Sequence, residues 1–419
     1  MQLDPGARMT ARALVRRGVM RARGADALAL RWSSELGAAL DAVLLAVDPV
    51  LAIGGCVASD DGGVRVGDHQ WHRADGAVVR VVGLGKPAPR MVAALVDALG
   101  GDVHSAWAVG KHDHEGMQHT VLVRRGGHPL PDAGSVSAGR ELLAIASRGR
   151  PDDLLLIAIA GGASSLACVP APGETLATMR EHIAGLMACG TPIAELNAAR
   201  GALDRLKHGG LARAAHCHVI ALVLVDVPSA DVRVVGSGVA WAPERDVPHV
   251  VLADNRTAVA AAIASLAAVG RRACEGPELA GDAFACGRAL GLSALELRAG
   301  EAMVCGGETT TVLRGDGKGG RTLELALGAA TVLDGRGDRV LLAFATDGDD
   351  GNSGAAGAIV DDRTGSRIAA AGLSMDDALS RSDADAILAA LDDRLVAGAT
   401  STNVCDLVIV LADPRDGAP

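Results

Sequence analysis

Runs of consecutive apolar residues alternate with segments of helical periodicity along the first half of the chain. Residues 154–160 form an unbroken apolar run, which predicts a strand buried on both faces. Similar runs and helical segments surround it: strands at 78–82 and 219–225, helices at 26–47, 91–99, 137–147 and 176–187. Strands that alternate with helices predict a doubly wound, mostly parallel, Rossmann-like α/β sheet.

A second α/β set begins after a predicted boundary at 246–248. Its segments are strands at 250–253 and 341–345 and helices at 257–268, 278–290 and 323–332. We therefore predict three segments. Residues 1–35 are an N-terminal extension that leads into the first helix, residues 36–245 are one α/β domain, and residues 246–419 are a second.

The buried run 154–160 ends in glycines and hydroxyls. Gly161 and Gly162 let the backbone approach a ligand closely, and Ser164 and Ser165 follow them at once. Backbone N–H groups and serine hydroxyls of such a turn can bind one oxyanion. The alternative is a tight strand-to-helix turn with capping serines.

A second glycine loop follows the strand at 78–82. Gly83-x-Gly85-x-x-Ala88 fits the dinucleotide pattern loosely, and Lys86 places an ammonium inside the loop. The alternative for Lys86 is an ordinary surface lysine. Asp226 ends the strand at 219–225, where open α/β sheets bind ligands and metals, although a simple turn would explain it equally well.

Composition narrows the function classes. The chain has 419 residues, 49% of them hydrophobic, with no Tyr, two Phe and four Trp, so base-stacking platforms are not expected. The net charge of -10 argues against nucleic acid or an anionic membrane as the main partner. The eight cysteines are scattered, which predicts reduced thiols and a cytoplasmic location.

Two polar segments could be mistaken for signals. The arginine-rich stretch 8–23 has no apolar segment of the signal-peptide type, so we expect a solvated extension. His112, His114 and His119 crowd one loop with Asp113 and Glu115, but their spacing matches no standard zinc site.

An ordered set of short motifs resembles the glycerate 2-kinase family with its C-terminal MOFRL domain. The set runs from about residue 36 to 411: Gly85-Lys86, Gly127-His128-Pro129, Gly161-Gly162-x-Ser164, Asn197-x-x-Arg200, Lys207, Asp226-Val227-Pro228, Gly306-Gly307-Glu308-Thr309-Thr310, Gly319-Gly320-Arg321, Thr346-Asp347-Gly348-x-Asp350-Gly351 and Thr402-Asn403-Val404-x-Asp406. The resemblance implies two α/β domains, a MOFRL region at about 300–412, and an ATP and glycerate site in the interdomain cleft.

The resemblance also implies roles for individual residues. Lys86 and Arg321 match the two basic positions that the family pattern suggests are catalytic. The expected nucleotide and phosphate ligands are Gly161, Gly162, Ser164, Ser165, Gly306, Gly307, Glu308 and Thr309. The expected substrate residues are Asn197, Arg200, Lys207 and Asn403, and the expected Mg²⁺ ligands are Asp226, Asp347 and Asp350.

Several positions depart from the family pattern by losing polar groups. Val225 stands where the family pattern has Ser, and Leu323 where it has Gln. If both face the ligand, each loss leaves a substrate oxygen unpaired, which predicts poor turnover of glycerate or preference for a less polar hydroxy acid.

Three function classes remain open from the sequence. The first is an ATP- and Mg²⁺-dependent kinase for glycerate or a related small 2-hydroxy acid, acting as a monomer or homodimer. The second is an NAD(P)-dependent hydroxypyruvate-type reductase, which the Gly83-x-Gly85-x-x-Ala88 pattern alone supports. The third is a catalytically weakened homologue that binds a phosphorylated metabolite.

Overall fold

The computed structural model describes residues 27–111, 115–118, 120–189 and 193–413. The predictions of a solvated extension at 8–23 and of a histidine loop without a metal concern residues that lie outside these ranges, apart from Glu115.

The strands alternate with helices along most of the chain. They are β1 (Val57–Asp60), β2 (Gly63–Val66), β3 (His69–His72), β4 (Val79–Leu84), β5 (Val103–Gly110), β6 (Gly116–Gln118), β7 (Val121–Arg125), β8 (Leu154–Ile159), β9 (His218–Leu224), β10 (His249–Ala253), β11 (Arg272–Glu275), β12 (Glu301–Gly307), β13 (Arg339–Ala345), β14 (Gly357–Asp361), β15 (Arg394–Leu395) and β16 (Asp406–Ala412).

The helices complete the alternation. They are α1 (Ala27–Ala46), α2 (Pro49–Cys56), α3 (Ala88–Leu99), α4 (Ala133–Ser147), α5 (Ala163–Leu166), α6 (Leu176–Ala188), α7 (Ile193–Leu203), α8 (Gly210–Ala214), α9 (Asn255–Ala268), α10 (Ala283–Glu296), α11 (Arg321–Leu333), α12 (Thr364–Ala370), α13 (Met375–Ser380) and α14 (Ala384–Ala390).

The chain divides into two units. The first, which we call the parallel-sheet unit, comprises Asp48–Asp254 and Ser401–Asn403. The second, the mixed-sheet unit, comprises 27–47, 255–400 and 404–413 among the described residues.

The parallel-sheet unit contains a seven-stranded sheet in the order β10-β9-β8-β4-β5-β7-β6. All neighbours pair in parallel except β6 and β7, and a small antiparallel sheet of β1, β2 and β3 stands apart in the hydrogen-bonding pattern. Strand β8 lies between β4 and β9 and is buried at every position, as its unbroken apolar run predicts. The predicted mostly parallel α/β sheet is therefore confirmed.

The mixed-sheet unit contains a six-stranded sheet in the order β11-β12-β16-β13-β14-β15. Only the β11–β12 pair within this sheet is parallel. Helices α10 and α11 contribute Leu290, Leu327 and Leu333 to one hydrophobic core with Leu341 and Val410 of the sheet. This unit is also α/β, as predicted.

The division differs from the predicted domain boundaries in two places. Strand β10 follows the predicted boundary at 246–248, but it pairs in parallel with β9 and so belongs to the parallel-sheet unit. Helix α1 crosses the predicted boundary between the N-terminal extension and the first domain, at 35/36, but packs on α9 of the mixed-sheet unit. Long-range pairing that local patterns do not encode is responsible in both cases.

Most predicted elements are present with ends shifted by a few residues. The largest shift is in α10, which was expected at 278–290 and spans Ala283–Glu296. The Asp282 carboxylate accepts a hydrogen bond from the backbone N–H of Ala285 at 2.9 Å, and this N-cap fixes the later start. No single described helix is long and apolar enough to cross a membrane, and only the bent pair 28–46 and 49–56 passes that test jointly.

Candidate functional site

The turn after β8 brings Lys86 to its glycines. Gly162 has φ +88°, a left-handed conformation that favours glycine, and the backbone N–H of Lys86 donates to Gly161 O at 2.8 Å. A Cβ added at Gly162 would lie 3.2 Å from Lys86 Cγ and 3.3 Å from His128 Cδ2. The half-buried side chains of Lys86 and His128 therefore flank this glycine.

Two further polar side chains lie against Gly161. A Cβ at this position would fall 2.4 Å from Asn403 Nδ2 and 2.6 Å from Asp226 Oδ2, so only glycine fits between them. Asn403 comes from the short segment Ser401–Asn403, which belongs to the parallel-sheet unit despite its distance in sequence. The glycine turn thus gathers Lys86, His128, Asp226 and Asn403.

Hydrogen bonds connect the turn to α7. The hydroxyls of Ser164 and Ser237 lie 2.8 Å apart, and Ser237 Oγ donates to Asn197 Oδ1 at 3.0 Å. The guanidinium of Arg200 donates to the same oxygen at 3.3 Å, and burial lowers the pKa of Arg200. The structure therefore brings Ser164, Asn197 and Arg200 together through Ser237.

Ser165 and Lys207 point their polar groups at the protein itself. The Ser165 hydroxyl donates to Gly162 O at 3.3 Å, and the Lys207 ammonium donates to Ala167 O at 2.7 Å. Lys207 is only 3% exposed. Their predicted phosphate and substrate roles stay predictions, and these contacts supply a structural role for both.

Arg321 begins α11 and is held between two carboxylates of the mixed-sheet unit. Its Nε lies 2.5 Å from Asp406 Oδ2 and a terminal nitrogen lies 3.0 Å from Asp406 Oδ1, which is a bidentate pair. The other terminal nitrogen lies 2.7 Å from Glu308 Oε1. Burial alone would lower the pKa of Arg321, but Asp406, Glu308 and Asp350 raise it above its ordinary value.

Asp350 caps the same helix. Its two carboxylate oxygens accept hydrogen bonds from the backbone N–H groups of Thr322 at 3.2 Å and Leu323 at 3.0 Å. A negative charge at a helix N-terminus is favourable, and these bonds satisfy N–H groups that have no partner within the helix. The carboxylate is 2% exposed, so the structure uses it to fix α11 and hence Arg321.

The glycine pair after β12 approaches protein groups closely. A Cβ at Gly306 would lie 1.9 Å from Asn255 Oδ1, and one at Gly307 would lie 2.4 Å from Leu279 O. Asn255 Nδ2 donates to Val404 O at 2.7 Å and Asp406 O at 3.0 Å. These glycines allow the close packing that places Asp406, whereas Thr309 is buried with no hydrogen-bond partner for its hydroxyl.

The metal prediction rests on separate carboxylates. Among the described residues, no group of three or more His, Cys, Asp or Glu side chains is arranged to hold a metal ion. Asp226 and Asp347 are half-buried, while both oxygens of Asp350 accept helix N–H groups. Mg²⁺ needs only one or two protein carboxylates when phosphates and water complete its shell, so Asp226 and Asp347 fit that donor chemistry better than Asp350 does.

The first glycine loop does not present free N–H groups. Gly85, Lys86, Ala88 and Arg90 donate their backbone N–H groups to Val109 O, Gly161 O, Gly85 O and Pro87 O. The remaining positions, 87 and 89, are prolines, which have no N–H. A pyrophosphate at this helix start would find no backbone donor, and a Cβ at Gly83 would collide with Val92 at 2.5 Å, which explains that glycine by packing.

The altered positions Val225 and Leu323 face hydrophobic cores. Val225 is 1% exposed in the core of the parallel-sheet unit, and Leu323 is fully buried in the core of the mixed-sheet unit. The expectation that Val225 and Leu323 both face a ligand is therefore wrong, because each side chain packs inside the hydrophobic core of its own unit. The prediction of poor glycerate turnover loses its basis.

Three residues that contact the predicted site residues were not assigned roles from the sequence: His128, Ser237 and Asp406. His128 and Asp406 lie in motifs that carry the family resemblance, so the motifs themselves were the available signal. Ser237 adopts φ +57°, unusual for a residue other than glycine, and this backbone feature has no sequence signature.

Two family profiles match the chain. The DUF4147 domain of unknown function matches residues 35–265, and the MOFRL family matches residues 301–406. A protein of Thermotoga maritima named D-glycerate 2-kinase is 30% identical over 376 residues, which cover 80% of this chain and 90% of that protein.

Two further relatives extend the comparison. An Agrobacterium vitis protein, provisionally named a hydroxypyruvate reductase, is 33% identical over 379 residues, which cover 79% of this chain and 98% of that protein. The crystal structure of a glycerate kinase from Thermotoga maritima matches with a TM-score of 0.76 and 27% identity, covering 89% of this chain and 97% of that one. The chain therefore belongs to the glycerate 2-kinase family, in which a DUF4147 domain is followed by a MOFRL domain.

Proposed function

We propose that this protein transfers the γ-phosphoryl group of ATP to a hydroxyl of glycerate or of a related small 2-hydroxy acid. The observation that carries the proposal is the gathering of Lys86, Asp226 and Asn403 at a glycine turn with no room for a Cβ. The names of the family relatives support the choice of substrate class.

The chemistry requires alignment and charge neutralisation more than covalent help. A substrate hydroxyl oxygen bonds to the γ-phosphorus, the bond from that phosphorus to the bridging oxygen of ADP breaks, and the hydroxyl proton is released. Negative charge on the moving phosphoryl oxygens must be compensated. Lys86 supplies an ammonium beside the glycine turn, and Arg321 supplies a guanidinium whose orientation Asp406 fixes.

Polar side chains near the glycine turn could bind the hydroxy-acid substrate. Asn197 and Arg200 reach Ser164 through Ser237, and these residues offer amide, hydroxyl and guanidinium groups to a small carboxylate. Asn403 beside Gly161 offers a further amide. Because Val225 and Leu323 point into cores, nothing in their change disfavours glycerate itself.

Mg²⁺ belongs to the same proposal. Asp226 would hold the ion near the glycine turn. Asp347, in the mixed-sheet unit, stays a predicted ligand, whereas Asp350 is engaged by helix N–H groups. Bound there, Mg²⁺ would neutralise charge on phosphate oxygens. The residues of this chain hold and orient the reactants around it.

The reductase alternative is supported by the name of one relative. The backbone from 85 to 90 argues against it, because every N–H group there is either bonded to a protein carbonyl or absent. Dinucleotide sites of this type bind the pyrophosphate through such N–H groups. A cytoplasmic location, which the free state of all eight cysteines favours, completes the proposal.

Two assays on the purified protein separate the classes. We expect ADP release that depends on D-glycerate, ATP and Mg²⁺ together, and no oxidation of NADH or NADPH by hydroxypyruvate. Faster reduction of hydroxypyruvate than phosphorylation of glycerate would overturn the kinase proposal. ATP or phosphoglycerate binding without turnover of any hydroxy acid would identify the weakened homologue instead.

A further inference from the structure

A buried ion pair contacts the backbone that follows the glycine turn. Lys207 and Asp204 are both 3% exposed, and the Lys207 Nζ lies 3.5 Å from Asp204 Oδ2. Burying two charges is costly unless further hydrogen bonds compensate, so the contacts of this pair show what it holds in place.

The ammonium of Lys207 binds both ends of α5. It donates to Ala167 O at 2.7 Å and to Ala163 O at 3.4 Å, one carbonyl just after the helix and one at its first residue. Ser164 lies between these two carbonyls in sequence. The two hydrogen bonds therefore restrain the segment that carries the Ser164 hydroxyl.

Asp204 restrains the continuation of the same segment. Its Oδ1 accepts hydrogen bonds from the backbone N–H groups of Val169 at 2.8 Å and Leu206 at 2.9 Å, and the Arg205 N–H donates to Val169 O at 2.8 Å. Its Oδ2 has no hydrogen-bond donor. Asp204 Oδ2 is therefore stabilised by its electrostatic attraction to the Lys207 ammonium.

The residues that follow Lys207 hold the other side of the serine pair. His208 N–H donates to Ser237 O at 3.0 Å, and Gly209 N–H donates to Gly238 O at 2.7 Å. The segment 204–209 thus binds the glycine turn through side chains and the Ser237 turn through backbone. The separation of the Ser164 and Ser237 hydroxyls, 2.8 Å, depends on both attachments.

We propose that Lys207 is a positioning residue: held by Asp204, it fixes the carbonyls around α5 and so keeps Ser164 in register with Ser237, Asn197 and Arg200. This role differs from the direct substrate contact that the family resemblance led us to expect. Burial also lowers the pKa of Lys207, and the neighbouring Asp204 carboxylate opposes that effect. The kinetic consequences rest on the proposed kinase function, whereas the structural ones do not.

Amide hydrogen exchange tests the role without any assay of activity. In Lys207→Met, we expect exchange in a peptide covering 160–169 to accelerate at least tenfold, with exchange in strand β13 unchanged. Arg367→Met is the matched control, because it removes the ion-pair partner of the buried Asp393 carboxylate in the mixed-sheet unit, at a place remote in sequence from 160–169. Exchange in 160–169 within twofold of the wild-type value in Lys207→Met would overturn the proposal.

Kinetics then separate positioning from substrate contact. We expect Lys207→Met and Ser164→Ala each to lower kcat/KM for the hydroxy acid about tenfold or more, and the double variant to be little worse than either, because both disturb one unit. Asp204→Asn keeps an acceptor oxygen and should give a milder loss of the same kind. Additive losses, or a raised KM in Lys207→Met with wild-type behaviour in Asp204→Asn, would show that Lys207 contacts substrate. Absence of kinase activity in the wild type would count against the proposed function alone.

Discussion

Arg321 is a cation whose position is determined before any ligand arrives. Asp406 takes one edge of the guanidinium in two hydrogen bonds, and Glu308 takes the remaining terminal nitrogen. Asp406 is 2% exposed, whereas the side chain of Glu308 is 33% exposed. The guanidinium is therefore partly exposed on the Glu308 side, where the proposed mechanism would have it meet a phosphoryl oxygen, while Asp406 keeps it oriented.

The Asp406 pair predicts different outcomes for two changes at Arg321. Arg321→Ala leaves a buried carboxylate without its partner and should lower the free energy of unfolding by about 3 to 5 kcal/mol, in addition to abolishing turnover. Arg321→Lys keeps the charge but not the planar fork, so it should fold nearly normally and lower kcat by about 10²-fold. Urea melts and single-turnover phosphorylation measure the two effects. Full activity of Arg321→Lys would show that the planar geometry of the guanidinium is not needed for turnover.

Leu323 yields a prediction opposite to the one its sequence position suggests. The residue is fully buried among Leu327, Leu341 and other apolar side chains. Leu323→Gln would bury an amide without partners and should lower the free energy of unfolding by about 2 to 4 kcal/mol. The ratio of kcat/KM values for glycerate and lactate should stay within about twofold. A rise in that ratio without loss of stability would place position 323 at the substrate.

Glu324 predicts how stability depends on pH. Burial raises the pKa of its carboxyl to about 7, Arg314 opposes this, and Asp282 and Asp350 add to it. The folded state therefore binds the proton more tightly than the unfolded state, whose pKa is near 4.5. The contribution of Glu324 to the free energy of unfolding is therefore fully present below about pH 4.5, and it is lost progressively as the pH rises from there through 7.

Comparison with Glu324→Gln isolates this effect. The free energy of unfolding of wild type relative to the variant should fall by about 2 to 3 kcal/mol between pH 5 and pH 8. Asp393, whose pKa burial also raises to about 7, is present in both proteins and cancels in the difference. A constant difference across this range would show that the Glu324 pKa is ordinary.

At the scale of elements, apolar runs and turn residues predict much of the architecture. Strands β8 and β9 follow from unbroken apolar runs, because strands buried on both faces need no polar alternation, and β4 follows from the valine-rich run 78–82, which Arg80 interrupts. The start of α10 was missed because a single Asp282 carboxylate sets it. The placement of α1 was missed because it depends on partners more than 200 residues away in sequence.

Those distant partners form a buried polar cluster. Trp32 donates to Asp413 at 2.5 Å, and Arg271 binds Asp413 at 2.7 Å and Glu35 at 2.6 Å. Helix α1 is thereby attached to the end of β16 and to the residues that follow α9. No local pattern around residue 32 indicates which strand its indole will meet.

Removing Arg271 should detach this helix. Arg271→Met leaves the largely buried Glu35 carboxylate without its cation, whereas Asp413 keeps Arg31 and Trp32, so we expect a loss of about 3 kcal/mol in the free energy of unfolding, the low end of the range for breaking a buried pair. Arg381→Ala is the control, because the Arg381 side chain is 48% exposed and its ion pairs with Asp377 and Asp383 lie at the surface, where such a pair contributes less than about 1 kcal/mol. Equal stabilities of the two variants in urea would mean that the cluster does not secure α1.

At the scale of the whole molecule, the motifs near the C-terminus serve both units. Asn403 belongs to the parallel-sheet unit and lies beside Gly161, whereas Asp406, three residues later, begins β16 of the mixed-sheet unit and holds Arg321. The sequence order of these motifs is sufficient to identify the family. It cannot assign each residue to a unit, because that depends on where β16 starts to pair.

The most direct test of the kinase proposal is a single-turnover measurement of product with wild type and Lys86→Met. The enzyme is mixed with a limiting amount of ATP, Mg²⁺ and D-glycerate, and phosphoglycerate is quantified by phosphorus NMR. Wild type should convert the ATP to ADP and phosphoglycerate. Because Lys86 flanks the glycine turn, Lys86→Met should be slower by about 10³-fold, with an unchanged melting temperature. A Lys86→Met rate within tenfold of wild type, or the absence of phosphoglycerate from wild type, would contradict the account.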